Sequence, residues 1–430
     1  MSIQKIKIKL LIIYLYAFFV IYMPELQGFT QIRSHIWVTI LLFFMITPYL
    51  LKRKIVLNKH IFFLCFGIIV SSIFFAVRAA ISGNEIRLIQ NNFVIIQIIH
   101  ICIIISILKK NGYLKDDLIK FLLNIGMFQG IICIAMILIP SFRELALFLY
   151  YNGADENIFI SANRIYGISG DYTFFTPIFH GTLAIVALIY SILKSYKYLV
   201  YIPFLLIAIL LNGRTGLLIF VLGSLVALLL LFLRGKSWVK LINYCILTIL
   251  IIITGLYSIK HLAPNTFNWI MSGFDDTINL FLNDQLEGNY EALLSTMLYW
   301  PEGLSTLWGE GHRVFGNIGI SFGFVPSDIG YVNDMFMGGI IYIGLLYLPI
   351  FRFLFLKNNK LNNLDYLINN ILSVALLFVL LLSNYKGESM RGGLVLIGVI
   401  YIKLILLDEN NHSYIDNSAN SASGKTVNFR

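Results

Sequence analysis

Charge is what this chain has least of. Only 13% of its 430 residues are charged, against ~25% in an ordinary soluble domain. Too few polar side chains remain to cover the surface of a soluble protein of this size. Cysteine is also scarce. Cys65, Cys102, Cys133 and Cys245 lie in apolar stretches and none lies in a loop, which argues against a disulfide framework and a Cys-x-x-Cys metal site. No carboxylate cluster suggests a metal. No internal repeat, inverted or parallel, of the kind many transporters carry is present. The N-terminal stretch MSIQKIKIKLLIIYLYAFFVIYM has no small-residue cleavage site after its apolar core, so it reads as an anchor.

What is there is apolar: 58% of residues are hydrophobic and 15% aromatic. Runs near or above the ~18–20 residues that cross a bilayer recur at 10–24, 36–51, 61–77, 92–108, 118–139, 174–193, 199–212, 215–233, 241–258, 335–356, 366–383 and 391–407. The expected fold class is an all-α polytopic membrane protein with about twelve transmembrane helices. Residues 1–407 form one transmembrane domain, and the polar tail 408–430 is a disordered cytoplasmic end. Lysine and arginine in alternate short loops place both termini in the cytoplasm. Two loops on the other side are long, 140–173 and 259–334, and loops of that length are usually functional or disordered. FNWIMSGF and YEALLSTMLYW in the second suit helices lying at the membrane interface.

This topology accounts for the net charge of +10 without nucleic acid. The cytoplasmic side carries 22 basic and 6 acidic residues, the outer side 10 and 16. A second asymmetry is not predicted by orientation. Inside there are 18 lysines and 4 arginines; outside there are 8 arginines and 2 lysines. Arginine's planar fork bonds phosphate in a bidentate way that lysine cannot match, so the outer face suits a phosphorylated ligand.

Arginine recurs beside glycine in those outer segments. The stretch LLIAILLNGRTGLLIFVLGSLVALLLLFL (205–233) is apolar apart from Arg214. An arginine at the bilayer centre costs at least ~3 kcal/mol, so a break at Asn212-Gly213-Arg214 is expected, with Gly213 supplying the turn. SANRIYGISGDYTFF carries Arg164, Gly167 and Gly170. WGEGHRVFG carries His312 and Arg313, VPSDIGYVNDMFMGG carries Asp328 and Tyr331, and NYKGESMRGG carries Lys386, Glu388 and Arg391. Arg164 and Arg214 stand next to helix starts, which favour anions. Arg33, Arg78, Arg87 and Arg143 read as solvated or as touching lipid phosphate, and His312 as a loop histidine. His180 lies inside a span and is a functional candidate on that ground. Asp328 is either a helix cap or a general base.

NGRTGLL at a span start is similar to the arginine-glycine-leucine segment of the O-antigen ligase and polymerase superfamily. RIYGISGD resembles the arginine-glycine segment that those proteins carry in another periplasmic loop. The ligases also carry His, then Asn, Ser or Gln, nine residues, Gly, two residues, and Gly, Thr or Tyr. Here Asp328-Ile329 is followed after nine residues by Gly339 and then by Tyr342, so the spacing fits and the first two residue types do not. The chain is thus identified as resembling the O-antigen polymerase family, in three short motifs and in span layout.

That resemblance implies a GT-C-like architecture with large periplasmic loops in the bacterial inner membrane. It implies metal-independent, inverting joining of undecaprenyl-pyrophosphate-linked oligosaccharide repeat units into O-antigen or capsule, with no cofactor. Partners would be the lipid-linked oligosaccharide, membrane lipids, a chain-length regulator and a flippase. On this reading Arg164 and Arg214 clamp pyrophosphate and Asp328 is the base. Arg313, Arg391, Tyr331, Lys386, Glu388 and His180 bind substrate. The missing ligase histidine favours polymerase. The alternatives are an O-antigen ligase acting on the lipid A core and a lipid-linked oligosaccharide flippase or transporter.

Overall fold

The structure, a computed structural model, describes residues 3–24, 34–50, 59–82, 87–150, 162–170, 174–236, 238–282, 291–357 and 361–407. The expected tail 408–430, Arg33, Asp171 and the loop stretches 151–161 and 283–290 lie outside the described residues. The helices run in one series along the chain. It runs α1 (Ile3–Tyr22), α2 (Ser34–Leu50), α3 (Lys59–Ser82), α4 (Arg87–Lys110), α5 (Lys115–Leu138), α6 (Pro140–Tyr150), α7 (Phe175–Leu193) and α8 (Tyr201–Asn212). It continues with α9 (Arg214–Leu233), α10 (Trp238–Leu262), α11 (Pro264–Leu282), α12 (Ser305–Trp308), α13 (Gly316–Ser321), α14 (Gly330–Leu354), α15 (Asn363–Ser383) and α16 (Gly393–Leu406). No strand occurs among the described residues. Eight helices, α3, α4, α5, α7, α9, α10, α14 and α15, are long and apolar enough to cross a bilayer. This is the architecture of a multi-pass membrane protein.

Four further expected spans appear as shorter apolar helices, α1, α2, α16 and the run Tyr196–Asn212. That run joins a 3₁₀ turn, Tyr196–Val200, to the 12-residue α8. At ~2.0 Å per 3₁₀ residue and 1.5 Å per α residue it reaches about 28 Å, close to the hydrocarbon thickness.

The bundle is built around α7. Its residues from Thr176 to Ser191 are all buried, as expected of a helix that is apolar on every side. Glycine lets its neighbours approach closely. A Cβ on Gly216 of α9 would lie 2.3 Å from the Pro177 carbonyl oxygen, and one on Gly181 of α7 would lie 2.7 Å from the Gly216 carbonyl. The pairs Pro177–Gly216 and Ile185–Gly223 show α7 and α9 running parallel, with both N-termini at one end of the bundle. The loop 384–392 fixes two more N-termini there. Asn384 O accepts from Gly330 N at the start of α14 (2.8 Å), and Gly392 is the N-cap of α16.

At the opposite end, Lys194 bridges Asp116 (3.3 Å) and Asp365 (2.8 Å), and Lys115 lies 3.7 Å from Asp365. Asn362 caps α15 by accepting from Asp365 N. The fully buried Lys403 donates to Leu356 O, Asn369 Oδ1 and Ser373 Oγ at 3.0, 2.7 and 2.9 Å, tying α16 to α15 and to the chain just beyond α14. The loops that alternate along the sequence therefore sort into two ends.

Three local expectations need correction. Helix α14 begins at Gly330 and not near 335, because Asn333 and Asp334, polar in sequence, are paired inside the protein. Gly213 has φ −166° and ψ 125°, an extended conformation open to any residue, so the break before Arg214 does not require glycine. In YEALLSTMLYW the described residues carry a π turn, Ala292–Thr296, and 297–300 are not helical. Beyond it Ser327 Oγ donates to Met297 O (2.7 Å) and the Tyr299 hydroxyl bonds to Val325 O, holding the chain out of a helix.

Candidate functional site

Three segments converge at the end of the bundle where α7, α9, α14 and α16 begin. The 162–170 segment docks on the end of α8, with Ile165 N donating to Leu211 O (2.9 Å), and Gly170 N donates to Tyr22 O. Arg164 is thereby set beside the break that carries Arg214. Helix α11 closes over both. The Arg164 guanidinium lies 4.5 Å and that of Arg214 4.9 Å from the centre of the Trp269 ring. Gly273, one turn further along α11, leaves room for Arg214: a Cβ there would fall 2.0 Å from Arg214 Cδ. Arg214 also donates to Ser272 Oγ (3.4 Å).

Both guanidiniums lie within 5 Å of one ring centre, so they are at most about 9 Å apart. At an effective dielectric of ~20, two unit charges at that distance repel by ~2 kcal/mol. Burial, with Arg214 adding to it, lowers Arg164 to about 10; it stays a cation at neutral pH. An anion between the two would remove their repulsion, and the helix N-termini beside them add positive dipole ends.

Lys386 and Asp328 complete the site. Lys386 lies 5.5 Å over the Phe174 ring. Burial pushes its ammonium down, Asp328 pulls it up, and Arg164 and Arg214 push it down again. One lysine thus senses all three other charges. Burial raises the Asp328 carboxyl above its ordinary value, against Lys386, which lowers it, and with Glu388, which raises it. Asp328 does not cap α14: the N-cap is Ile329, without a side-chain cap bond, and Ser327 Oγ accepts from Ile329 N (3.2 Å).

The other basic candidates do different work. Arg391 is buried and holds Asp334 at 2.7 Å and Glu388 at 2.5 Å, while Arg313 reaches Glu388 at 3.6 Å. Asp334 also takes the Tyr347 hydroxyl and Asn384 Nδ2 (3.3 Å). Against the lowering effect of burial, Glu388 and Asp334 raise Arg391 above its ordinary value. This network locks the 384–391 and 309–314 loops to α14, so Arg313, Arg391 and Glu388 shape the site from behind. The Tyr331 hydroxyl donates to Leu381 O (2.7 Å), tying α14 to α15. His180 is buried and shares a 2.8 Å hydrogen bond with Tyr22, which fixes α1 to α7. His312 is buried, stacked on Phe322 with ring centres 3.8 Å apart.

Two residues at the site escaped the sequence reading. Trp269 was visible only as an interfacial aromatic. Asn212, 1% exposed, has no protein hydrogen bond on either amide atom. A buried polar group left so costs ~1–3 kcal/mol, which makes Asn212, two residues from Arg214, a ligand-binding candidate. Among the described residues no group of three His, Cys, Asp or Glu side chains is placed to hold a metal ion. Comparison with protein-family models, with curated proteins and with solved structures finds no match.

Proposed function

We propose that the chain is a polysaccharide polymerase of the bacterial inner membrane. It joins undecaprenyl-pyrophosphate-linked repeat units of O-antigen or capsule, with the arginine end of a twelve-span bundle facing the periplasm. The observation that carries this reading is the convergence of Arg164 and Arg214 on Trp269, with Lys386 and a half-buried Asp328 alongside. The motif resemblance and the lysine-rich loops of the opposite end support it.

In the proposed reaction Asp328 takes the proton from an acceptor hydroxyl. That oxygen bonds to the anomeric carbon of the donor sugar as the bond from that carbon to the pyrophosphate oxygen breaks. Undecaprenyl pyrophosphate leaves with both electrons. Arg164, Arg214 and Lys386 stabilise the charge that grows on it, an arrangement strongest where water is excluded. A single displacement without a protein-bound intermediate inverts configuration.

The test is a glycan gel from cells lacking this chain, complemented with wild type, Arg164→Lys or Arg214→Lys. The expected result is a ladder that collapses to one repeat unit and returns only with wild type, at equal protein levels. Long polymer retained on lipid pyrophosphate, with none on the core, would move the assignment to ligase. An unchanged ladder in the deleted strain would refute both.

A further inference from the structure

The chain between α11 and α14 reads in sequence as part of a long outer loop with an interfacial patch at 290–300. Its middle part does not sit like a loop. Residues 305–311 pack against α14 at its one break, where Gly339 has φ 65° and ψ −163°. A Cβ on Gly339 would lie 2.4 Å from the Leu307 carbonyl carbon, and one on Gly309 would lie 2.3 Å from Gly338 N. On the other side Trp308 stacks on Phe74 of α3, with ring centres 6.2 Å apart. Arg78, one turn along α3, donates to Gly309 O at 2.6 Å. Phe74 lies one turn inside Arg78, the cation near the end of the apolar run His60–Ile81, which at 1.5 Å per residue is a depth of about 6 Å below it.

Two observations identify the surroundings at that depth. The α3 residues flanking Phe74 are apolar and exposed, Ile73 by 59% and Val77 by 57%, as lipid-facing positions of a span are. Leu304, Leu307 and Trp308 continue that surface with 77, 45 and 46% exposure. The amides of the segment are also satisfied. The amides of Ser305, Thr306, Leu307, Trp308 and Gly309 bond to carbonyls of residues 302–305, and those of Glu310 and Gly311 bond to Phe336 O, the carbonyl region opened by the break in α14. Seven consecutive amides are thus bonded within the protein, so none of these N–H groups needs water as a partner.

We infer that residues 304–308 are a re-entrant wedge seated among phospholipid acyl chains, in the leaflet at the Arg164–Arg214 end of the bundle. The occupant is acyl chain because the wedge is continuous with the lipid-facing side of α3. The insertion is independent of the reaction proposed above.

The test uses the full chain reconstituted in phosphatidylcholine vesicles, with Trp308 as the only tryptophan of the five. The expected result is at least twofold quenching of Trp308 by mid-chain brominated phosphatidylcholine, with little by aqueous iodide. A variant keeping only Trp238, 59% exposed near the opposite end, reports the interface for comparison. Iodide quenching without bromolipid quenching would overturn the inference, since the segment would face water. Quenching by neither would overturn it too, since protein would cover the wedge. Should the single-tryptophan chain not fold, a nitroxide on Leu304→Cys, in a chain lacking the native cysteines, answers the same question. Faster relaxation by oxygen than by a water-soluble nickel chelate supports insertion, and the reverse overturns it.

Discussion

Replacing Arg391 with methionine separates scaffold arginines from site arginines. Methionine keeps length and apolar volume while removing the only cation bonded to Asp334 Oδ1 in the described network, at 2.7 Å, and the nearer of two on Glu388, at 2.5 Å. Asp334 is fully buried and Glu388 nearly so. Removing one partner of a buried pair costs ~3–5 kcal/mol, because a charge is left without compensation. At 1.4 kcal/mol per tenfold, the folded-to-unfolded ratio should drop by about 10²–10³ or more. Reversible unfolding in mixed micelles, followed by tryptophan fluorescence, reads this directly. The triple variant Arg391→Met, Asp334→Asn, Glu388→Gln should recover most of the loss, since an intact buried network is worth little more than neutral groups of the same shape. Arg164→Met, by contrast, breaks a cation–π contact of ~0.5–2 kcal/mol and should cost the fold less than Arg391→Met while activity disappears. Wild-type stability of Arg391→Met together with lost activity would refute the division, and Arg391 would return to the ligand-binding set.

The remaining predictions are local. Gly273→Ala puts a Cβ where Arg214 Cδ now lies, 2.0 Å away; the flexible side chain moves aside, so glycan synthesis should fall at least tenfold at unchanged protein level, and full activity would show that Arg214 need not rest on α11. Asp328, with its value raised by burial, is stabilising as the neutral acid. That contribution is present at low pH and lost as pH rises through the folded value, so Asp328→Asn should be more stable than wild type near pH 7 and inactive. The acid limb of the wild-type activity profile should lie above the ordinary carboxylate range, and a profile flat down to pH 4 would rule out this base. Gly339→Ala combines a left-handed backbone, worth ~1–3 kcal/mol, with a 2.4 Å collision at Leu307; it should free the 305–311 segment and expose it to limited proteolysis, where wild type resists.

The helices were legible because apolar length alone sets a span. What misled the reading of their ends was polarity satisfied at a distance. Asn333 accepts from Val314 N (3.1 Å) and donates to Ser327 O (2.8 Å), and Asp334 meets Arg391, 57 positions away. In sequence these residues look like loop; in the fold they are the first turns of α14. Trp269 was hidden for the opposite reason. Interfacial tryptophan is common in membrane proteins, and only tertiary packing aims one at two arginines.

The arginine excess at one end of the bundle is the feature that first pointed to a phosphorylated ligand, and the structure divides it. Arg78 holds Gly309 O, while Arg313 and Arg391 hold Glu388 and Asp334. These three cations bind protein. Each fixes irregular backbone or a buried carboxylate where long loops meet the bundle, a task that suits a rigid fork with five donors. Arg164 and Arg214 converge on one aromatic face, with Arg214 also donating to Ser272 Oγ. Arginine is selected at this end partly because its loops are long and need internal clamps, and the case for an anion rests on the pair at Trp269.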